Sequence, residues 1–239
     1  MLDNLKKIYS PNFDSKKRKS RNIKFIILHY TGMKKEKNAI NRLTDANSKV
    51  SCHYLITNSG KIINLVPDLY ISWHAGKSNW KKIKSLNSSS LGVEISNPGH
   101  ENGYCNYKKK QIKSIIFLIS TLKKIYKIKN QNILGHSDIA PDRKKDPGEK
   151  FPWKFMYDKK LSIWHNLDEK KLTRLRSQEC NNFEIRKFFN NLKIIGYKSK
   201  NKINIIKAFQ RRFRQKLISG KIDKECLFIS TSLLKNNKH

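Results

Sequence analysis

Phe25-Ile26-Ile27-Leu28-His29-Tyr30-Thr31 is an apolar, partly β-branched run that turns polar at a histidine. A short continuous apolar segment of this kind reads as a buried strand, here Ile23 to Tyr30, with His29 delivered to its C-terminal end. Working outward, Lys37 to Ala46 reads as a helix. Cys52 to Thr57 and Lys61 to Val66 flank Asn58-Ser59-Gly60 and read as a β-hairpin. Leu91 to Ser96 is another apolar strand, closed by Asn97-Pro98-Gly99. From Lys110 to Tyr126, residues Ile112, Ile115, Ile116, Ile119, Leu122 and Tyr126 recur at helical spacing, which puts one face on a core and the lysines in water. Asn132 to Gly135 reads as a further short strand that carries His136 into a loop. Strands interleaved with helices imply an α/β fold, a mixed central β-sheet flanked by helices.

The chain has 239 residues, of which 37% are hydrophobic. That is enough for one sizeable domain and a small second one. Its 52 Lys and Arg against 18 Asp and Glu give a net charge of +34. Such a surface concentrates polyanions, whether nucleic acid, anionic membrane or cell-wall polymer. The basic residues are spread along the chain rather than blocked into a tail, so codon bias toward A and T accounts for them equally well. Cys52, Cys105, Cys180 and Cys226 are widely separated and form no C-x-x-C pair. Residues 1–20 are a basic lead-in with no apolar core of a secretion signal, and no membrane-spanning segment is expected. After Trp153 the character changes. A polar linker, 158–180, precedes a tail in which Phe188, Phe189, Leu192 and Ile195 form one amphipathic stripe and Ile205, Ile206, Phe209, Phe213 and Leu217 a second. This reads as a small C-terminal helical domain, 181–239.

Three side chains in two segments have the chemistry of metal ligands. His29 ends the first strand, and His136 and Asp146 bracket Gly135-His136-Ser137-Asp138-Ile139-Ala140-Pro141-Asp142-Arg143-Lys144-Lys145-Asp146-Pro147-Gly148. Two imidazoles and a carboxylate leave a tetrahedral zinc one open position, as a hydrolytic site requires. Each histidine follows a strand-like run that would bring it to one edge of a sheet, where α/β sites form. Spacing alone does not make them converge, and each taken singly also suits an ordinary polar residue at a strand end.

Five segments carry a resemblance. Phe25-Ile26-Ile27-Leu28-His29-Tyr30-Thr31, Ser51-Cys52-His53-Tyr54-Leu55-Ile56, Trp73-His74-Ala75-Gly76-Lys77-Ser78, Leu91-Gly92-Val93-Glu94-Ile95 and Gly135-His136-Ser137-Asp138-Ile139-Ala140-Pro141 follow one another as in the zinc-dependent N-acetylmuramoyl-L-alanine amidases of type 2, relatives of the peptidoglycan-recognition proteins. The likeness covers about residues 21–155 and implies a catalytic domain over 21–157. It implies one Zn2+ per chain, held by His29, His136 and Asp146. The implied reaction is hydrolysis of the amide between N-acetylmuramic acid and the L-alanine of a stem peptide. Glu94 is the expected general base and Lys144 the expected oxyanion partner. Trp73 and His74 are expected to line the substrate groove, and Arg143 to pair with a substrate carboxylate through its planar fork. Asn79, Trp80 and Trp153 are candidates for bonding to or stacking on sugar, with rim packing the alternative. His53 is expected to be structural.

The tail segments Phe188 to Leu192, Gly196-Tyr197, Ala208-Phe209-Gln210-Arg211-Arg212-Phe213 and Gly220-Lys221-Ile222-Asp223 look like a three-helix peptidoglycan-binding domain, with Lys224-Glu225-Cys226 where that family usually has Thr. On a flexible linker such a module would raise the local concentration of wall. The expected partner is peptidoglycan or a muropeptide, with no specific nucleic acid, and a monomer is expected. The expected location is the cell envelope, periplasmic or secreted, with a cytoplasmic recycling role as the alternative. Two other function classes stand beside the enzyme: a non-catalytic peptidoglycan-binding protein, which would usually lack a ligand, and a basic nucleic-acid binder, for which no motif is present.

Overall fold

The computed structural model describes Leu2 and residues 5–236. Met1, Asp3, Asn4 and residues 237–239, the ends of the expected lead-in and tail, lie outside the described residues. Along the chain, β1 (Lys6–Lys7) and β2 (Phe13–Asp14) precede β3 (Phe25–Tyr30) and α1 (Glu36–Thr44); β4 (Tyr54–Ile56), β5 (Ile62–Asn64), β6 (Ile71–Ser72), β7 (Asn79–Trp80), β8 (Ile83–Lys84) and β9 (Ser90–Ile95) follow. Next come α2 (Lys109–Tyr126), β10 (Ile133–Gly135), α3 (His136–Ile139), α4 (Trp153–Asp158), α5 (Glu169–Leu175), α6 (Asn182–Ile195), α7 (Lys202–Phe213) and α8 (Lys224–Asn236).

Six strands form the main sheet in the order β1-β5-β4-β9-β3-β10. Only the β4–β5 pair is antiparallel, so the sheet is mixed as its sequence pattern implies. Phe25 to Leu28 of β3 are buried, as central parallel strands covered on both faces must be. The strand boundaries are shorter than the apolar runs by one or two residues at several ends, and α1 stops at Thr44 because Asp45 turns extended and caps the next short turn. α2 lays Ile115, Leu118, Ile119 and Leu122 on the sheet. Parallel register sets the site. His29 pairs with Glu94, and Gly135 pairs with Leu28, so three strands end together and His136 begins immediately past the third.

Two segments are more tightly held than their composition suggests. In the lead-in, β1 adds to the sheet edge beside β5, β2 pairs with β6, and the buried Arg18 donates to the carbonyls of Asp68, Asn87 and Ser90. The stretch 158–180 is not a free tether. It contains α5 and buries Leu161, Trp164 and Leu172 against the core. The apolar residues scattered between its lysines anchor it. In the tail, Phe188, Leu192 and Ile195 of α6 and Ile205, Ile206, Phe209 and Phe213 of α7 are buried, while Leu217 falls beyond α7 and is exposed.

Candidate metal centre

His29, His136 and Asp146 converge. Nδ1 of His29 and Nδ1 of His136 are 2.9 Å apart, and each lies 3.0 Å from Asp146 Oδ2. All three side chains are buried. The far side of each ring fixes what faces inward. His136 Nε2 lies 3.1 Å from the Ala75 carbonyl and 3.4 Å from Arg143 Nη2, and the tautomer that donates to the nearer carbonyl leaves Nδ1 bare. His29 is reached through a longer chain. The Ser90 hydroxyl donates to the Leu86 carbonyl at 2.7 Å and therefore accepts from His74 Nε2. His74 Nδ1 is then an acceptor for His29 Nε2 at 3.0 Å, which leaves His29 Nδ1 bare as well. Two lone pairs and a carboxylate oxygen thus meet with no proton between them. The N, N, O donor set could hold a metal ion with an open coordination position.

The electrostatics agree. Burial, followed by the charge of His136, pushes the His29 imidazole down to about 4. His74 is driven well below its ordinary value by burial and by His29 beside it. Burial alone would raise Asp146, but the charges and hydrogen bonds of His136 and His29 outweigh it and hold the carboxyl well below the carboxylate range. His29 and Asp146 are therefore in ligating form at neutral pH.

A cavity of about 290 Å³ opens over the cluster and is lined by the three donor residues together with Trp73, His74, Glu94 and Lys144. Glu94, beside His29 on the neighbouring strand, is pushed up to about 8 by burial and by the Asp146 charge, with Lys144 opposing. Its buried Oε2 has no partner among the described residues. His74 can sit behind His29 because Gly92 makes room: a Cβ there would come within 2.4 Å of the His74 ring. Sequence reasoning did not single out Tyr30, Arg42 or Ser51, which also line this cavity. Tyr30 and Ser51 lie inside motif segments, whereas nothing marked Arg42 among so many cations.

Other expected contacts fall elsewhere. Arg143 turns its fork onto the backbone, giving Nη2 to the Ala75 carbonyl at 2.5 Å and Nε and Nη2 to that of Lys77 at 3.0 and 2.9 Å. It supports the loop that receives His136 and does not line the cavity. Asn79, in β7, is not among the lining residues either. Trp80 and Trp153 are buried, the first edge-on to Tyr197 and the second packed with Phe151 under Arg212. Their rings complete internal contacts and offer no face to a sugar. Trp73 is half-buried, lines the cavity and donates its indole N–H to Asp14 at 2.7 Å. His53 is buried, with Nδ1 receiving the Gly92 amide at 3.0 Å and Ser72 Oγ at 2.7 Å, a structural role.

A mixed α/β sheet, with the segment that follows its strand β10, brings two histidines and an aspartate together at an open pocket, a donor set that could hold a metal ion. The N-acetylmuramoyl-L-alanine amidase family profile matches residues 19–149. Over 230 residues the chain is 30% identical to the N-acetylmuramoyl-L-alanine amidase AmiD of Escherichia coli, spanning 89% of this chain and 82% of that protein. A solved AmiD complex with the substrate anhydro-N-acetylmuramic acid-L-Ala-D-gamma-Glu-L-Lys superposes with a TM-score of 0.80 over 90% of each chain. AMPDH3 from Pseudomonas aeruginosa, 26% identical, superposes at 0.81 over 97% of this chain and 99% of its own. The chain belongs to the N-acetylmuramoyl-L-alanine amidase family.

Proposed function

We propose that the chain is a zinc-dependent hydrolase of the amide between N-acetylmuramic acid and L-alanine in peptidoglycan fragments, with His29, His136 and Asp146 as the ligands. The observation that carries this reading is the meeting of three potential ligand atoms beneath a cavity that also holds Glu94 and Lys144. When bound there, zinc would polarise the scissile carbonyl and acidify a water. Glu94, its Oε2 unpartnered, takes the proton of the attacking water and returns it to the leaving amine of L-alanine. The Lys144 ammonium faces the carbonyl oxygen as charge develops on it. Trp73, fixed through Asp14, packs on the sugar or peptide at the cavity wall.

The substrate complex of AmiD supports anhydro-muropeptides as the first compounds to try. Helices α6–α8 are read as a peptidoglycan-binding-like module, and the chain as a monomer of the cell envelope, with a cytoplasmic role the alternative. No helix among the described residues is long and apolar enough to cross a membrane. The deciding experiment is mass spectrometry of anhydro-muropeptide and of intact peptidoglycan after incubation with zinc-loaded protein, chelated protein and Glu94→Ala. Zinc-dependent release of stem peptides beginning with L-alanine is expected. Folded, zinc-loaded protein that cleaves neither would overturn the reading. Cell fractionation tests the location, and recovery solely in cytosol would favour recycling.

A further inference from the structure

The loop from His136 to Asp146 supplies two of the three donors, and the C-terminal helices hold it from outside. Asp138, two residues past His136, is 1% exposed. Its Oδ2 accepts from the Gly135 amide at 2.8 Å, closing the turn that aims His136, and from Arg212 Nη1 of α7 at 2.5 Å. Its Oδ1 accepts from the Tyr197 hydroxyl, between α6 and α7, at 2.6 Å. Arg212 also donates through Nη2 to the Ile133 carbonyl at 3.0 Å, on the strand side of His136, so one guanidinium grips the chain before and after the ligand. The same turn reaches the third donor residue, because the Ser137 amide donates to the Asp146 carbonyl at 2.8 Å. Farther along the loop, Ser199 donates to Asp142 at 2.5 Å.

A module that only tethers the enzyme to a polymer needs none of these bonds. We infer that Arg212 and Tyr197 are positioning residues for the metal: acting through Asp138, the C-terminal helices set the His136–Asp146 turn in its ligating geometry. The inference rests on the metal reading of His29, His136 and Asp146. The tail is thereby part of the active centre's framework as well as a candidate wall-binding surface. Gly196, at φ 139°, keeps the tail seated, since a Cβ there would come within 2.6 Å of the Trp80 ring.

The test uses full-length Tyr197→Phe, Arg212→Lys and Arg212→Met, each kept at a temperature where circular dichroism reports a folded chain. Zinc affinity is measured by competition with a chromophoric chelator, and the visible absorption of the Co2+-loaded protein reports ligand geometry. Tyr197→Phe is expected to weaken zinc binding about threefold to tenfold, and Arg212→Met about tenfold to a hundredfold, in the range of outer-shell losses at metal sites. Arg212→Lys should recover part of that loss, and the Co2+ bands should shift with it. Variants that melt earlier yet bind zinc and colour with cobalt as the parent does would overturn the inference and leave the tail a stabilising cap. If Arg212→Met does not fold, Tyr197→Phe decides, because it leaves the Arg212–Asp138 pair intact. If the parent chain binds neither zinc nor cobalt, the metal reading falls and this inference with it.

Discussion

The two sides of the pocket are built by different means. On one side, His29 and Glu94 stand at the ends of β3 and β9, where parallel register places them abreast. On the other, His136 opens α3 and Asp146 lies on the loop beyond it, and Asp138 and Asp142 between them bond to Tyr197, Ser199 and Arg212. The sheet side is specified by local pattern, because a strand's period of two fixes which face each side chain takes. The loop side is specified by contacts about sixty to seventy-five residues away in sequence. Both halves need partners distant in sequence, but the sheet half is joined by a backbone ladder and the loop half by side-chain bonds.

Breaking the donor set should have the largest effect. His29→Ala on the sheet side and Asp146→Ala on the loop side should each reduce turnover to the level of chelated protein, checked by muropeptide cleavage and by bound zinc per chain. Unequal zinc retention would rank the two halves. Glu94→Gln should lower kcat by about 10²–10⁴ while leaving metal content unchanged.

The same substitution carries a pH signature. An unfolded Glu94 loses its proton near the ordinary value of 4.5, and the metal-free folded chain holds it to about 8. The folded state therefore binds more protons across that window, and metal-free stability falls as pH rises through it. Melts of metal-free parent and Glu94→Gln should nearly coincide at pH 4.5 and diverge by pH 8, with the variant the more stable. A parent melting temperature flat across that range, relative to the variant, would refute the raised carboxyl.

Smaller effects should follow from the supports. Gly92→Ala would drive a methyl group into the His74 ring and should cost about 1–3 kcal/mol in denaturant unfolding. Asp142→Ala, at an exposed contact with Ser199, should change stability by about 0.5 kcal/mol or less. Activity lost by more than a few-fold in that variant would mean the loop side is still more fragile than its buried contacts imply.

The sequence was most legible where the chemistry is local. An apolar run ending in His29, and a short strand ending at Gly135 before His136, announce strand-end side chains by themselves, and the motif order brings Asp146 into the same set. The α2 face was readable from its spacing. Asp138 shows the limit: it lies inside a quoted motif, yet nothing in that motif could reveal that its partners are Tyr197 and Arg212. Trp80 and Trp153 were ambiguous because an aromatic ring suits a core and a sugar equally well, and only packing decides. Arg143 is ambiguous for a related reason. A guanidinium fits a substrate carboxylate and a backbone carbonyl alike, and here Nε and Nη2 donate to the carbonyls of Ala75 and Lys77.

The sequence of bonds from His29 through His74 and Ser90 to the Leu86 carbonyl has a fixed polarity. Each donor points away from the pocket, and the last acceptor has no proton to give back. The wire cannot be reversed without breaking a bond, so it is a dead end for proton traffic. A proton released in the cavity has no route out along this wire behind His29. The neutral imidazole at His74 is thus an insulator, and it is the strand beneath it, hollowed at Gly92, that gives the insulator room.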